Sequence, residues 1–300
     1  MAGLNQVKTL LLLVLLSGLI VFVSYLLVGN ETGLYYGLGF AALSSFGSWY
    51  YSDQATLSAF KAQPTPREEQ PELYARIEKM CDRANLPHPK FYIIPSESPN
   101  AFATGRDPEH AAIALTQGIM SLLPADELDA VIAHELTHVR NRDTLIQAVA
   151  GTLSGSLTYL GRILTIGALY FPVARIGRRG NNPLAILFLL IIGPFSAGLL
   201  RMAISRTREF AADAGAAEIT ENPLALVRAL EKLEEIGQEN PIHGNPAYAP
   251  LFIVNPLSKK GLMNLFLTHP PTEDRIERLK AIAQEPETKT DLSQKLSPAT

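Results

Sequence analysis

His134-Glu135-Leu136-Thr137-His138 puts two imidazoles four residues apart, with a carboxylate beside the first. Positions i and i+4 share one face of a helix, so both rings can present a nitrogen to a single metal ion, zinc above all. Glu135 then stands where a carboxylate can take the proton from a water that the metal acidifies. So short a pattern also occurs by chance on surface helices. Here the surroundings argue for a buried one. Leu128, Val131, Ile132, Leu136 and Val139 make an apolar stripe, and Pro124 suits the first turn. Asp126, Glu127 and Asp129 lie near the positive end of the helix dipole. A buried helix carrying His, Glu and His needs partners for those groups, and a metal is the economical one.

A second polar helix is expected to begin within Ser205-Arg206-Thr207-Arg208-Glu209-Phe210-Ala211-Ala212-Asp213. Glu209 and Asp213 again share a face. A Glu209 oxygen would complete a His₂Glu site that leaves the fourth position for water. Asp213 could accept the free ring N–H of a ligand histidine and fix its tautomer. Taken alone, the two would be solvated charges beside Arg206 and Arg208; the histidine pair favours the metal-site reading.

His134–His138 running on into Arg140-Asn141-Arg142-Asp143, followed by Arg208-Glu209-Phe210-Ala211-Ala212-Asp213, resembles the HtpX family of membrane-bound zinc metalloproteases. That family is a gluzincin relative of the type I CAAX prenyl proteases. Pro99-Asn100-Ala101-Phe102-Ala103-Thr104-Gly105 and His269-Pro270-Pro271-Thr272-Glu273-Asp274-Arg275 match it too, so the resemblance runs from the first hydrophobic segment to about residue 284. It implies one zinc per chain, held by His134, His138 and Glu209, with Glu135 as base. It also makes His269 and Arg275 candidate oxyanion donors. Asn100, Ala101 and Phe102 become a strand edge that could pair with a substrate backbone.

Those groups need elements to position them, and the apolar residues come in blocks. Hydrophobic residues make up 47% of the 300 and charged residues only 18%. Val7–Val28 carries one charge, Lys8, and as a helix could cross the roughly 30 Å hydrocarbon layer. It lacks a clear A-x-A site, and a second apolar stretch, Gly33–Tyr51, follows at once, so it reads as a retained anchor. Trp49, Tyr50 and Tyr51 suit a membrane interface. Between the two candidate ligand helices lie Leu145–Phe171, with Gly151 and Gly155 in G-x-x-x-G spacing, and Leu184–Leu200, which holds Pro194. Arg162 and the short second segment favour a re-entrant hairpin over a spanning pair; either returns the chain to the same side.

Nine Lys or Arg fall between Ser52 and Thr144, and twelve from Arg201 onward; the 29–32 connection has none. By the positive-inside rule both polar regions face the cytoplasm, although Arg175, Arg178 and Arg179 sit between the two later apolar stretches. Cys81, the single cysteine, rules out an intrachain disulfide and falls on an apolar helix stripe. A net charge of −3 gives no case for nucleic-acid binding.

The expected architecture is therefore α+β and mainly helical: a membrane protein with a gluzincin-type metalloprotease domain and a small sheet. Residues 1–51 form two transmembrane helices and 52–70 a linker. Residues 71–144 and 201–284 make the protease domain around a hydrophobic hairpin at 145–200, and 285–300 form a disordered tail. A helix is expected over 71–84, strands at 90–94 and 111–115, a helix from Pro223 to Ile236, and a long Pro- and Gly-rich loop at 237–260. The expected function is a multi-pass plasma-membrane zinc endopeptidase that cuts membrane or unfolded proteins from the cytoplasmic side. Its partners are those polypeptides and the lipid bilayer. Two alternatives are a protease for lipidated C-termini and a zinc-binding membrane scaffold without activity. The first wants more apolar spans, and the second wants a fourth protein ligand.

Overall fold

The structure is a computed structural model that describes residues 30–146, 206–239 and 270–295, together with Leu251, Ile253 and helical positions between Val7 and Tyr25. Most of the 145–200 insertion, most of the 237–260 loop, His269 and much of Val7–Val28 lie outside the described residues.

Asn30 caps the first fully described helix, α1 (Glu31–Tyr50), its side chain accepting from the Thr32 N–H. Ser17 and Ser45 meet at 3.0 Å through their hydroxyls, so α1 packs beside the preceding helical residues. Among the described residues no helix is long and apolar enough to cross a membrane. Helix α2 (Ser52–Ala59) follows, then a two-residue strand, β1 (Gln63–Pro64). Most of the stretch expected as a linker is therefore structured. Leu57 and Phe60 pack against Phe102, with the two phenyl centroids 4.9 Å apart. Pro64 is tolerated because an edge strand can spare one ladder N–H.

Helix α3 (Pro71–Ala84) matches the expected range. Pro71 starts it, Asn85 closes it in the left-handed conformation, and Leu73, Ile77, Met80, Cys81 and Ala84 are buried. Burial, then the charges of Asp82 and Glu78, pushes the Cys81 thiol up to about 12, so this cysteine packs rather than reacts. Strands β2 (Lys90–Ile94), β3 (Ala101–Thr104) and β4 (Ala112–Thr116) join β1 in a mixed sheet of order β1-β2-β4-β3. β2 runs parallel to β4, and β3 lies antiparallel on its other side with Ala103 opposite Ile113. Gly105 ends β3 at φ 140, where an added Cβ would meet the His110 carbonyl oxygen at 2.6 Å.

After the short α4 (Gln117–Leu122) comes α5 (Ala125–Arg140), the helix on which the core is built. Ala130, Val131, Ile132, Ala133 and Leu136 are wholly buried, and Ile132 and Leu136 each contribute about 1.5–3 kcal/mol by burial. Helix α6 (Arg206–Thr220) crosses α5, and α7 (Pro223–Glu239) is fastened to α5 by Lys232 and Arg228 on buried Glu127. The last helix, α8 (Thr272–Lys295), continues past Gln284 where disorder was expected. Residues 285–295 carry one large apolar side chain, Leu292, and the helix runs through Pro286, which removes one backbone hydrogen bond of the ladder.

The closeness of α5 and α6 depends on Gly215: a Cβ there would lie 2.4 Å from Thr137 Cγ2 and 2.8 Å from Arg140 Nη2. Thr137 is fully buried and its hydroxyl donates to the Ala133 carbonyl, so it has little room to yield. Gly215→Ala should cost about 1–3 kcal/mol by overpacking. It should lower the thermal midpoint measured by circular dichroism, and an unchanged midpoint would show that the helices can part freely.

Candidate metal centre

One face of α5 carries His134 and His138 toward α6, where Glu209 in the first turn rises between them. The two Nε2 atoms are 3.2 Å apart. Glu209 Oε2 lies 3.8 Å from His134 Nε2, and its Oε1 lies 3.7 Å from His138 Nε2. All three side chains are buried. The i, i+4 spacing and the proposed third group thus converge as the sequence suggested.

Each ring is fixed from behind. His134 Nδ1 lies 2.9 Å from Asp213 Oδ1, and His138 Nδ1 lies 3.0 Å from Asp143 Oδ2. A carboxylate can only accept, so each Nδ1 donates and each Nε2 keeps its lone pair for the space between the rings. Two lone pairs and a carboxylate turned on one buried point repel each other unless a proton or a metal ion lies between them. The spacing fits a metal ion: two ligands about 2.05 Å from a tetrahedral zinc sit about 3.3 Å apart. The donor set therefore suits a metal ion held by His134, His138 and Glu209.

Asp213 is held in turn by Arg275, whose Nε donates to Oδ2 at 2.9 Å and Nη2 to Oδ1 at 2.7 Å. Burial alone would raise the Asp213 carboxyl; the Arg275 guanidinium and the His134 ring outweigh it and hold it below the usual range. Arg275 Nη1 donates to the Ile253 carbonyl at 3.0 Å. This placement departs from the oxyanion role expected for Arg275. All three guanidinium nitrogens are engaged on the Nδ1 side of His134, away from the converging Nε2 atoms. The motif located the residue in the site, but spacing alone could not say which side of the ring it would approach.

Glu135 lies close enough to His138 for its charge to act on that ring, and it also reaches the sheet. Its Oε2 accepts the Ala103 N–H at 2.8 Å. Ala103 therefore turns its amide away from β4, and Ala101 shares that side by strand alternation. Asn100, Ala101 and Phe102 do lie beside the centre, but all three are buried, and the Asn100 amide is occupied by this chain's own backbone. Its Nδ2 donates to the Leu251 carbonyl at 3.1 Å, and its Oδ1 accepts the Ile253 N–H at 3.3 Å. Nothing in a loop rich in Pro, Asn and Gly signalled that docking.

Asp143 is the other group that sequence reasoning left without a role. The α5 helix ends at Arg140; Asn141 N–H still bonds the Thr137 carbonyl, and Arg142 adopts φ 58. That left-handed turn swings Asp143 back under His138, and Thr144 ties the loop to β3 through a 2.9 Å bond to the Gly105 carbonyl. No residue type in Asn141-Arg142 announces that turn.

A family model described as Peptidase family M48 matches residues 67–283. A protein called Protease HtpX homolog from Nostoc punctiforme is 49% identical over 285 residues, 95% of this chain and 99% of the relative. A protein of the same description from Pyrococcus furiosus is 44% identical over 280 residues, 93% and 96% of the two chains. The crystal structure of S. mikatae Ste24p superposes with a TM-score of 0.53 at 20% identity over 92% of this chain. This chain spans 65% of that one, and the likeness is one of fold.

The same geometry sets a pH dependence. Burial alone would lower the pKa of His138; its hydrogen bond to Asp143 and the charges of Glu209, Asp143 and Glu135 outweigh burial and push it up to about 9. A group raised from 6.5 stabilises the metal-free fold fully below that pH and loses the contribution as pH rises through about 9. The thermal midpoint of metal-free protein should therefore fall across that window. Metal binding requires a neutral ring, so the fall should vanish in the loaded protein, and metal uptake at neutral pH should release a proton. Titration calorimetry in buffers of different ionisation enthalpy measures that proton.

Proposed function

The chain belongs to peptidase family M48 and is a metalloprotease, and from that premise we propose that it is a membrane-anchored zinc endopeptidase working at the cytoplasmic surface. The observation that carries the chemistry is the convergence of His134 Nε2, His138 Nε2 and Glu209, with Glu135 immediately beside them. His134, His138 and Glu209 would hold the zinc, one per chain. Bound there, zinc would supply a Lewis acid that acidifies a water and polarises the scissile carbonyl.

The chain's own residues do the rest. Glu135 takes the proton of the attacking water and passes it to the leaving amine. The Ala103 N–H bonded to Glu135 Oε2 holds that carboxylate in place. The outward edge of β3, through Ala101, would pair with an extended substrate backbone, so that the enzyme reads main chain more than side chain. Asn100 positions this edge through the 251–253 segment, and Phe102 packs beneath it. Asp213, braced by Arg275, orients His134. His269, from the same motif as Arg275, is assigned as a donor to the developing oxyanion.

Several features support a membrane setting. Val14, Phe22, Tyr35, Leu38, Phe40, Leu43 and Phe46 are exposed on the N-terminal helical residues, more apolar surface than a water-facing helix normally presents. Val7–Val28 and 145–200 are apolar by sequence, and Lys and Arg concentrate in the flanking polar regions. Membrane proteins and unfolded polypeptides are the proposed substrates. Processing of lipidated C-termini ranks below this for want of further apolar spans. A metal-binding scaffold ranks lower still, because it leaves Glu135 unused.

Glu135→Gln should keep the metal and lose cleavage of an unfolded casein-like substrate by about 10²–10⁴-fold. Metal content and cleavage measured on one preparation decide it; near-normal activity with metal bound would remove Glu135 from the role of base. For orientation, cysteines introduced at positions 31 and 60 should label from outside and from inside the cell, respectively. The reverse pattern would invert the topology.

A further inference from the structure

His134 is braced by an Asp–Arg pair, and the other ligand histidine has a pair of its own that the proposed reaction does not use. Asp143 is completely buried and takes the His138 Nδ1–H at 3.0 Å. Arg208 Nε lies 3.8 Å from the other Asp143 oxygen, and both side chains are almost wholly buried. Among the described residues the Arg208 guanidinium has no hydrogen-bond partner. A buried guanidinium is costly unless it meets negative charge. Asp143 and Glu209 are the charges that offset it, and burial still pulls the Arg208 pKa down.

Resting on the zinc-protease reading above, we propose that Asp143, steadied by Arg208, is the positioning residue for His138, so that the metal is braced at both histidines by separate Asp–Arg pairs. The two arms differ. Arg275 grips Asp213 with two hydrogen bonds, at 2.9 and 2.7 Å, whereas Arg208 acts on Asp143 through charge across 3.8 Å. The His138 arm also sits at a junction: Asp143 stands two residues before the apolar insertion that opens at Leu145, and Arg208 follows its return. The pair thus ties the two chain ends of the insertion to one metal ligand. Asp143 acts through His138, and Arg208 acts through the charges of Asp143 and Glu209.

The test compares full-length wild type, Asp143→Ala, Asp143→Asn, Arg208→Met and Asp213→Ala. Zinc dissociation constants are measured by chelator competition, and the visible spectrum of the cobalt-loaded form reports ligand geometry. Asp143→Ala should weaken zinc binding about 10–100-fold, the range for an outer partner of a metal ligand. Asp143→Asn keeps an acceptor oxygen for the Nδ1–H but loses the charge that makes the ring a stronger ligand, so it should recover only part of that loss. Arg208→Met should fall between wild type and Asp143→Ala. Cobalt spectra of both Asp143 variants should shift, since a merely structural role would lower the thermal midpoint and leave spectrum and affinity of the folded fraction alone. If Asp143→Ala does not fold, Asp143→Asn decides: an altered cobalt spectrum supports the inference and an unaltered one overturns it. Wild-type affinity in folded Asp143→Ala overturns it as well. A wild-type protein that binds no zinc would defeat the zinc-protease reading and this inference together. Normal wild-type binding and cleavage with unaffected variants would defeat the inference alone.

Discussion

Two imidazole nitrogens 3.2 Å apart, facing each other and a buried carboxylate, form an arrangement that needs a proton or a metal ion between them to be favourable. Much of the described fold can be understood from the need to hold it. Helix α5 supplies both rings from one face and buries the other faces in the core. Helix α6 must come close enough for Glu209 to reach between them, which is why a glycine, Gly215, faces Thr137. Helix α8 brings Arg275 through the core to Asp213, and the Arg142 turn brings Asp143 to His138. The polar groups that would be costly in such a place satisfy one another in chains: ring to carboxylate to guanidinium.

The sheet serves the same centre from the opposite side. It is small and mixed, and its edge strand β3 meets α5 through the bond from the Ala103 N–H to Glu135. That contact joins the proposed base to the strand proposed to receive substrate, so the two share one reference. The chain's own Leu251 and Ile253 are docked beside it, bonded to Asn100 and, for Ile253, to Arg275 as well. Two residues that sequence motifs associate with substrate thus also fasten a piece of the protein.

The candidate metal ligands were legible in part because helical spacing is a local rule: i, i+4 geometry paired His134 with His138 and Glu209 with Asp213, while the histidine motif and the family resemblance joined the two pairs. Helix α3 and strand β2 were legible for the same reason, their apolar residues repeating at the helical and strand periods. What could not be read were relations set by tertiary approach. Asp143 stands only five residues from His138, yet its role depends on a left-handed Arg142 that residue type does not announce. Arg275 was placed in the site by its motif, while the ring nitrogen it would serve followed from how α8 crosses the core. The linker at 52–70 proved structured because Leu57 and Phe60 find Phe102, a contact made across some forty residues of chain.

The central claim is the identity of the ligands, and X-ray absorption at the zinc edge of the zinc-loaded, full-length protein tests it most directly. It predicts a four-coordinate site with two imidazole nitrogens at about 2.0–2.1 Å and the remaining donors oxygen, with no sulfur shell. It also predicts that replacing His138 by alanine removes one imidazole from that shell. A spectrum with a sulfur neighbour at about 2.3 Å, or with a single imidazole in the wild-type protein, would contradict the account.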